Sequence, residues 1–224
     1  MSYELRYFSG YSKGLGPALV AEFSGVPWKG NKDLGYNAVE SWGTVKPTAP
    51  FGQMPLLTTP EGATIAQTAA IINYLAKVGG IEGEGMAFAT SQMLLAEAED
   101  IYQLMVKFMP TVTDSGMRFN LGEGGKGTRA QYDALFAEIL PTHLGYLEKL
   151  CAKGVGFAAP SPGGLFLFSI LYQLLLVRGD LLSEAAFPTL TAWYNATLAN
   201  ETTKKVVDGR SSHGAFKAYF VTPE

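Results

Sequence analysis

Residues 41–62 read SWGTVKPTAPFGQMPLLTTPEG, and the proline at position 55 decides how the rest is read. Met54–Thr58 has the composition of a short strand, yet Pro55 carries no N–H to give to a sheet. Two readings are open. A trans-proline can simply begin an edge strand. A cis-proline turns the chain so that Met54 presents its own N–H and C=O outward at a sheet edge, where an extended peptide docks like an added strand. Only ~5–6% of X–Pro bonds are cis, so the turn alone favours trans.

The surroundings change that balance. Gln67 and Thr68 stand at the start of a helical pattern. A helix N-terminus has unpaired N–H groups and the positive end of the dipole, so it holds carboxylates well. Trp42 and Lys46, four residues apart just upstream of Pro55, offer an indole N–H and a cation for a second carboxylate. The implied ligand is a short peptide with a carboxylate at each end.

Working outward, the chain has 224 residues, 47% hydrophobic and 17% charged, which is ample for one large or two small globular domains. The net charge is −3 with no basic run, which argues against nucleic acid as a partner. The single cysteine, Cys151, excludes an internal disulfide and points to a reducing, cytoplasmic compartment. The opening MSYELRYFSG lacks the apolar core of a secretory signal. The longest apolar run, LFLFSILYQLLLV at 165–177, falls short of the ~20 residues that span a bilayer and reads as a buried central helix.

YELRYF at 3–8 reads as a strand, PALVAEFSGV at 17–26 as a helix and MPLLTT as a strand. A turn at Glu61-Gly62, a short strand and a helix ending at Gly79-Gly80 follow. IEGEG at 81–85 reads as a linker, and helical patterns then dominate at 88–109, 128–151, 164–178 and 187–199. GEGGKG at 122–127 lacks the spacing and the preceding strand of a phosphate-binding loop. The expected fold class is α/β followed by all-α: a small domain over 1–80 and a larger all-helical one over 86–224.

The stretch WGTVKPTAPFGQMP resembles the segment of the cytosolic glutathione transferases in which a Trp and a Lys precede a Pro-Phe-Gly-(Gln/Lys)-x-Pro turn. TIAQTAAIINYLAK is similar to their Gln-Ser-x-Ala-Ile-x-x-Tyr-Leu helix, and FPTLTAWYNATLAN to their Pro-x-Leu-x-x-Trp helix. The resemblance covers nearly the whole chain and is closest to the tyrosine-type classes, sigma above all. It implies an N-terminal thioredoxin-like domain that binds glutathione and a helical domain that adds the electrophile pocket. It further implies glutathione as co-substrate with no metal or other cofactor, a small hydrophobic electrophile, and a homodimer with no membrane span.

Carried over residue by residue, Tyr7 in LRYFSG is the hydroxyl that donates to the glutathione sulfur, with Ser9, Tyr11 and Ser12 as competitors for that role. Lys46 and Trp42 hold the glycine carboxylate, with Gln53 beside them. Met54, ahead of Pro55, pairs its backbone with the cysteinyl unit. Gln67 and Thr68 grip the γ-glutamyl end, and Asp100 reaches its ammonium from a second subunit. Tyr102, Met105, Met109, Phe216 and Tyr219 are candidates for the electrophile pocket.

Several positions depart from the family pattern. Thr68 replaces the usual serine and keeps the hydroxyl. Tyr11 and Lys13 stand in GYSKGLG where an arginine pattern is usual, and Asn73 takes a common arginine position. The central helix opens with Ser161, Pro162 and Gly164 in place of a Ser/Thr-x-x-Asp box, which predicts a start near Pro162 with a single cap. Two further functions share the resemblance: a glutathione-dependent isomerase of the prostaglandin D synthase type, and a non-catalytic crystallin-like or carrier protein. A thiol reductase needs a cysteine near the first helix, and there is none.

Overall fold

A computed structural model describes residues 2–31, 42–157 and 160–224. Most of the polar stretch after VPWK, residues 32–41, lies outside them. Strands β1 (Tyr3–Arg6), β2 (Trp28–Asn31), β3 (Leu56–Thr58) and β4 (Thr64–Ala66) form a sheet in the order β2-β1-β3-β4. β1 and β2 run parallel, with Leu5 opposite Gly30, and parallel neighbours need a crossover. Helix α1 (Leu15–Phe23) supplies it, and its residues Leu15–Ala21 are all buried. β3 and β4 form a hairpin whose turn closes through Gly62 N–H to Thr59 O at 2.9 Å, with Gly62 at φ +89.

The expected sheet edge at Pro55 is not there. β3 is an inner strand, antiparallel to both β1 and β4, and its pairing begins at Leu56. Pro55 sits one residue ahead of the ladder, where its missing N–H removes no sheet bond. The Met54–Pro55 peptide is cis.

After a four-residue helix α2 (Trp42–Val45) and a single 3₁₀ turn (Lys46–Thr48), the next long helix is α3 (Thr68–Gly79). Ile71, Ile72, Leu75 and Ala76 give it one buried face, and Gly80 closes it in the left-handed conformation at φ +70. Helix α4 (Met86–Phe108) buries Leu94, Leu95, Ala98, Ile101, Tyr102 and Met105 against α7 (Pro162–Val177). α7 is the central helix: every residue from Pro162 to Leu171 is buried. It starts at Pro162, capped by Ser161 Oγ accepting the Gly164 N–H at 3.1 Å. Gly163 lies so close to α4 that a Cβ there would stand 1.8 Å from the Ser91 carbonyl oxygen.

The helical pattern at 128–151 is interrupted. Thr128 caps α5 (Arg129–Ala134) in a reciprocal box with Gln131, a π turn spans Leu135–Ile139, and α6 runs Leu140–Ala152. Pro141 is the physical reason, because its ring would collide with the carbonyl four residues back and the widened turn makes room. α8 (Pro188–Ala199) and α9 (Glu201–Val207) follow.

Helical periodicity gave no sign of a two-stranded hairpin after α4, β5 (Thr111–Val112) with β6 (Arg118–Phe119). The C-terminal segment joins it to the β1–α1 loop. Lys217 N–H bonds to Ser9 O at 2.7 Å and Tyr11 N–H to Lys217 O at 2.9 Å. Val112 N–H bonds to Tyr219 O at 2.8 Å. This places Tyr219 against the loop that follows β1.

Candidate active site

Two clefts lie side by side and share Phe8. The first, about 330 Å³, is lined by Trp42, Gln53, Met54, Pro55, Gln67 and Thr68, together with Phe8, Lys13 and Gly52. Six of the residues named from sequence for holding glutathione therefore come together here. Lys46 lies at the same end, its Cε 3.7 Å from where a Cβ on Gly52 would be. Met54 precedes the ladder of β3, so its backbone N–H and C=O lie outside the sheet bonds.

At the far end of this cleft stands the N-terminus of α3. Gln67 precedes it at φ +74, an uncommon conformation for a side-chain-bearing residue and one that clusters at ligand clamps. Its side chain makes no capping bond, and the first turn carries no acidic residue. Thr68 Oγ1 is buried with no hydrogen-bond partner among the described residues. A buried hydroxyl left unpaired costs about 1–3 kcal/mol. Next to uncapped N–H groups such a hydroxyl can meet an anion.

The second cleft, about 220 Å³, is lined by Tyr7, Gly10, Ser12, Tyr102, Thr113, Asp114 and Tyr219, together with Phe8. β1 ends at Arg6, so Tyr7 is the first residue past it. Its ring is buried, and its oxygen accepts the Lys13 N–H at 3.1 Å. Burial pushes the phenol up to about 12 against the bonds from Ser12 and Lys13 N–H, so it stays protonated at neutral pH. Ser12 Oγ and Tyr102 Oη are 2.6 Å apart, and burial raises Tyr102 as well.

No protein-family model matches the chain. Glutathione S-transferase 1 of Ascaris suum is 33% identical over 153 residues, which cover 67% of this chain and 68% of that protein. The chain belongs to the glutathione S-transferase family.

Solved structures show the same fold for the transferase. A prostaglandin synthase D of Nilaparvata lugens superposes with a TM-score of 0.74 at 19% identity, over 94% of this chain and 99% of that one. The glutathione S-transferase of Ascaris lumbricoides superposes with a TM-score of 0.70 at 23% identity, over 94% and 98%. The small mixed sheet with its helices is accordingly thioredoxin-like, and it is followed by a helical part.

The competitors of Tyr7 in the transferase have other engagements. Ser9 Oγ donates to Asp114 Oδ1 at 2.7 Å. Tyr11 is buried, stacked on Phe216 with ring centroids 5.6 Å apart and edge-on to Tyr172. Ser12 faces Tyr102. Of the electrophile-pocket candidates, Tyr102 and Tyr219 line the second cleft, whereas Met105 and Met109 are fully buried in the core and Phe216 packs under Tyr11. Asp100 is exposed on α4 and lines neither cleft of its own chain.

Phe8, Lys13 and Asp114 are among the lining residues that escaped sequence reasoning. Phe8 follows Tyr7 in the strand pattern and gave no separate signal. Lys13 was visible only as a departure from the family. Asp114, in the turn of a hairpin that periodicity did not show, gave none. Cys151 is buried with its thiol pushed up to about 11 by burial, and it bonds to Thr189 O at 3.6 Å. Among the described residues no helix is long and apolar enough to cross a membrane.

Proposed function

We propose that this transferase joins glutathione to small hydrophobic electrophiles, with the Tyr7 hydroxyl donating to the glutathione sulfur. The observation that carries the reading is the pair of clefts sharing Phe8, one lined by Trp42, Gln53, Met54, Pro55, Gln67 and Thr68 and the other holding a protonated Tyr7. Thr68 and Gln67 take the γ-glutamyl carboxylate at the start of α3. The Met54 backbone pairs with the cysteinyl unit beside Pro55. Trp42 and Lys46 take the glycine carboxylate, with Gln53 next to them. The sulfur then lies where the clefts join. On this reading residues 1–80 bind glutathione, and 86–224 complete the electrophile pocket.

A thiol with the cysteine value of about 8.5 is only a few per cent thiolate at neutral pH. A hydrogen bond donated to the sulfur favours the charged form. The Tyr7 oxygen accepts the Lys13 N–H, which leaves its own proton to point at that sulfur. The thiolate attacks the electrophilic carbon, the carbon–sulfur bond forms, and a leaving group such as halide departs with its electron pair. Tyr7 keeps its proton throughout.

Within the family we assign the chain to the tyrosine type, sigma class, and to a cytoplasmic homodimer. Support for the dimer comes from α4, where Met86, Met93 and Asp100 recur every seven residues along one exposed face, and from the exposed Phe51. That face would carry Asp100 toward the γ-glutamyl ammonium of the second copy.

The test is conjugation of glutathione to an activated aryl halide, run beside Tyr7→Phe. The expected loss is roughly ten- to hundredfold in kcat, the scale of losing one such donor. Equal rates would move the donor to Ser12, Ser9 or Tyr11. No conjugation by either protein, with glutathione still bound in calorimetry, would replace this reading by the isomerase or carrier.

A further inference from the structure

Among the described residues the second cleft carries one charge. Five of the lining side chains described are hydroxyl-bearing, one is the carboxylate of Asp114, and none of those described is lysine or arginine. Lys13 comes near, with Nζ 4.8 Å from the centre of the Tyr102 ring, but its charge is met by Glu99 at 2.6 Å. Among the described residues Asp114 forms no ion pair.

Its position is fixed from two sides. The β5–β6 turn closes through Thr113 N–H to Met117 O at 2.8 Å and Gly116 N–H to Thr113 O at 2.9 Å. Ser9 donates its N–H to Oδ2 at 3.2 Å and its hydroxyl to Oδ1 at 2.7 Å. Each carboxylate oxygen thus has one bond and keeps further acceptor capacity.

We propose that Asp114 sets the charge selection of the electrophile, admitting neutral or cationic acceptors and those with an N–H or O–H donor, and turning away acceptors that carry a carboxylate. This rests on the reading of the second cleft as the electrophile site. An anionic acceptor there would leave water without gaining a cation and would meet a fixed like charge. At about 4 Å such a meeting costs several-fold in affinity even in bulk water, and more where water is thinned out.

The experiment uses two activated aryl chlorides that differ only by a ring carboxylate. For each, kcat/KM is divided by its rate constant with glutathione thiolate free in solution. The wild-type protein is expected to select against the anionic acceptor by about tenfold or more. Asp114→Asn should cut that selection about tenfold, and Asp114→Glu should keep it. Parity in the wild type overturns the proposal without need of any variant, as does undiminished selection in a folded Asp114→Asn protein. If neither chloride is conjugated, the transferase reading of the cleft fails, and charge selection is then read from calorimetric binding of the two S-aryl glutathione products. Tenfold weaker binding of the carboxylate product sustains it. Equal affinities, or no binding of either, overturn it.

Discussion

A methyl group on Gly14 would stand 2.3 Å from Cδ1 of Tyr7. The residue before α1 is thus a glycine because the aromatic ring of the proposed donor lies directly on it. Gly14→Ala must push that ring out of place while leaving the first cleft intact. We expect kcat for aryl-halide conjugation to fall by roughly tenfold, with the KM for glutathione changed less than about threefold. An unchanged kcat would show that the Tyr7 hydroxyl needs no such fixed position.

Thr68→Val separates binding from stability. Valine keeps the shape and removes a hydroxyl that is buried without a partner among the described residues. Removing an unsatisfied polar group is neutral or stabilising, whereas losing a bond to a carboxylate costs about 1.5–3 kcal/mol. The variant should melt at or above the parent temperature and bind glutathione more than about tenfold more weakly in calorimetry. Unchanged affinity would remove Thr68 from the γ-glutamyl contact.

Much of this is legible in the sequence. Local chemistry wrote the cap at Ser161 and the stop at Gly79-Gly80, and Trp42, Gln67 and Thr68, singled out around Pro55, line one cleft with it. The errors came where long-range pairing decides. Pro55 looked like the head of an edge strand, because a sequence does not show that β1 and β4 flank β3. Met105 and Met109 looked like an adaptable pocket wall, because helical spacing does not say which neighbour a face meets. Gly164 is a case in between. A Cβ there would stand 3.1 Å from Ser161 Oγ, so an acid in that place needs the capping hydroxyl to shift by a few tenths of an ångström.

The contact of α7 with α4 depends on a single missing side chain. Gly163 donates its N–H to Ser91 Oγ at 3.0 Å, and a Cβ there would lie 1.8 Å from the Ser91 backbone oxygen. The obstacle is backbone of a buried helix, so it cannot rotate away. Gly163→Ala should destabilise the protein by about 3 kcal/mol or more, despite the better helix propensity of alanine. Urea unfolding reads this directly. A midpoint equal to the parent would mean that the two helices can slide apart cheaply.

Glu4 ties β1 to β2 electrostatically. Its carboxylate accepts from Arg6 Nε at 2.8 Å, Lys29 Nζ at 2.9 Å and Asn31 Nδ2 at 3.0 Å. Burial alone would raise its pKa, but the bonds from Asn31, Lys29 and Arg6 outweigh burial and hold it at about 2. An unfolded glutamate titrates near 4.3. The stabilisation is therefore fully present above that value and is lost as pH falls toward 2, where both states are protonated. Glu4→Gln should cost about 1–3 kcal/mol at pH 7, and the gap between variant and parent should close between pH 4.5 and 2. Urea midpoints measured across that range decide it: a gap that stays constant with pH would assign the role of Glu4 to packing and hydrogen-bond geometry rather than to its charge.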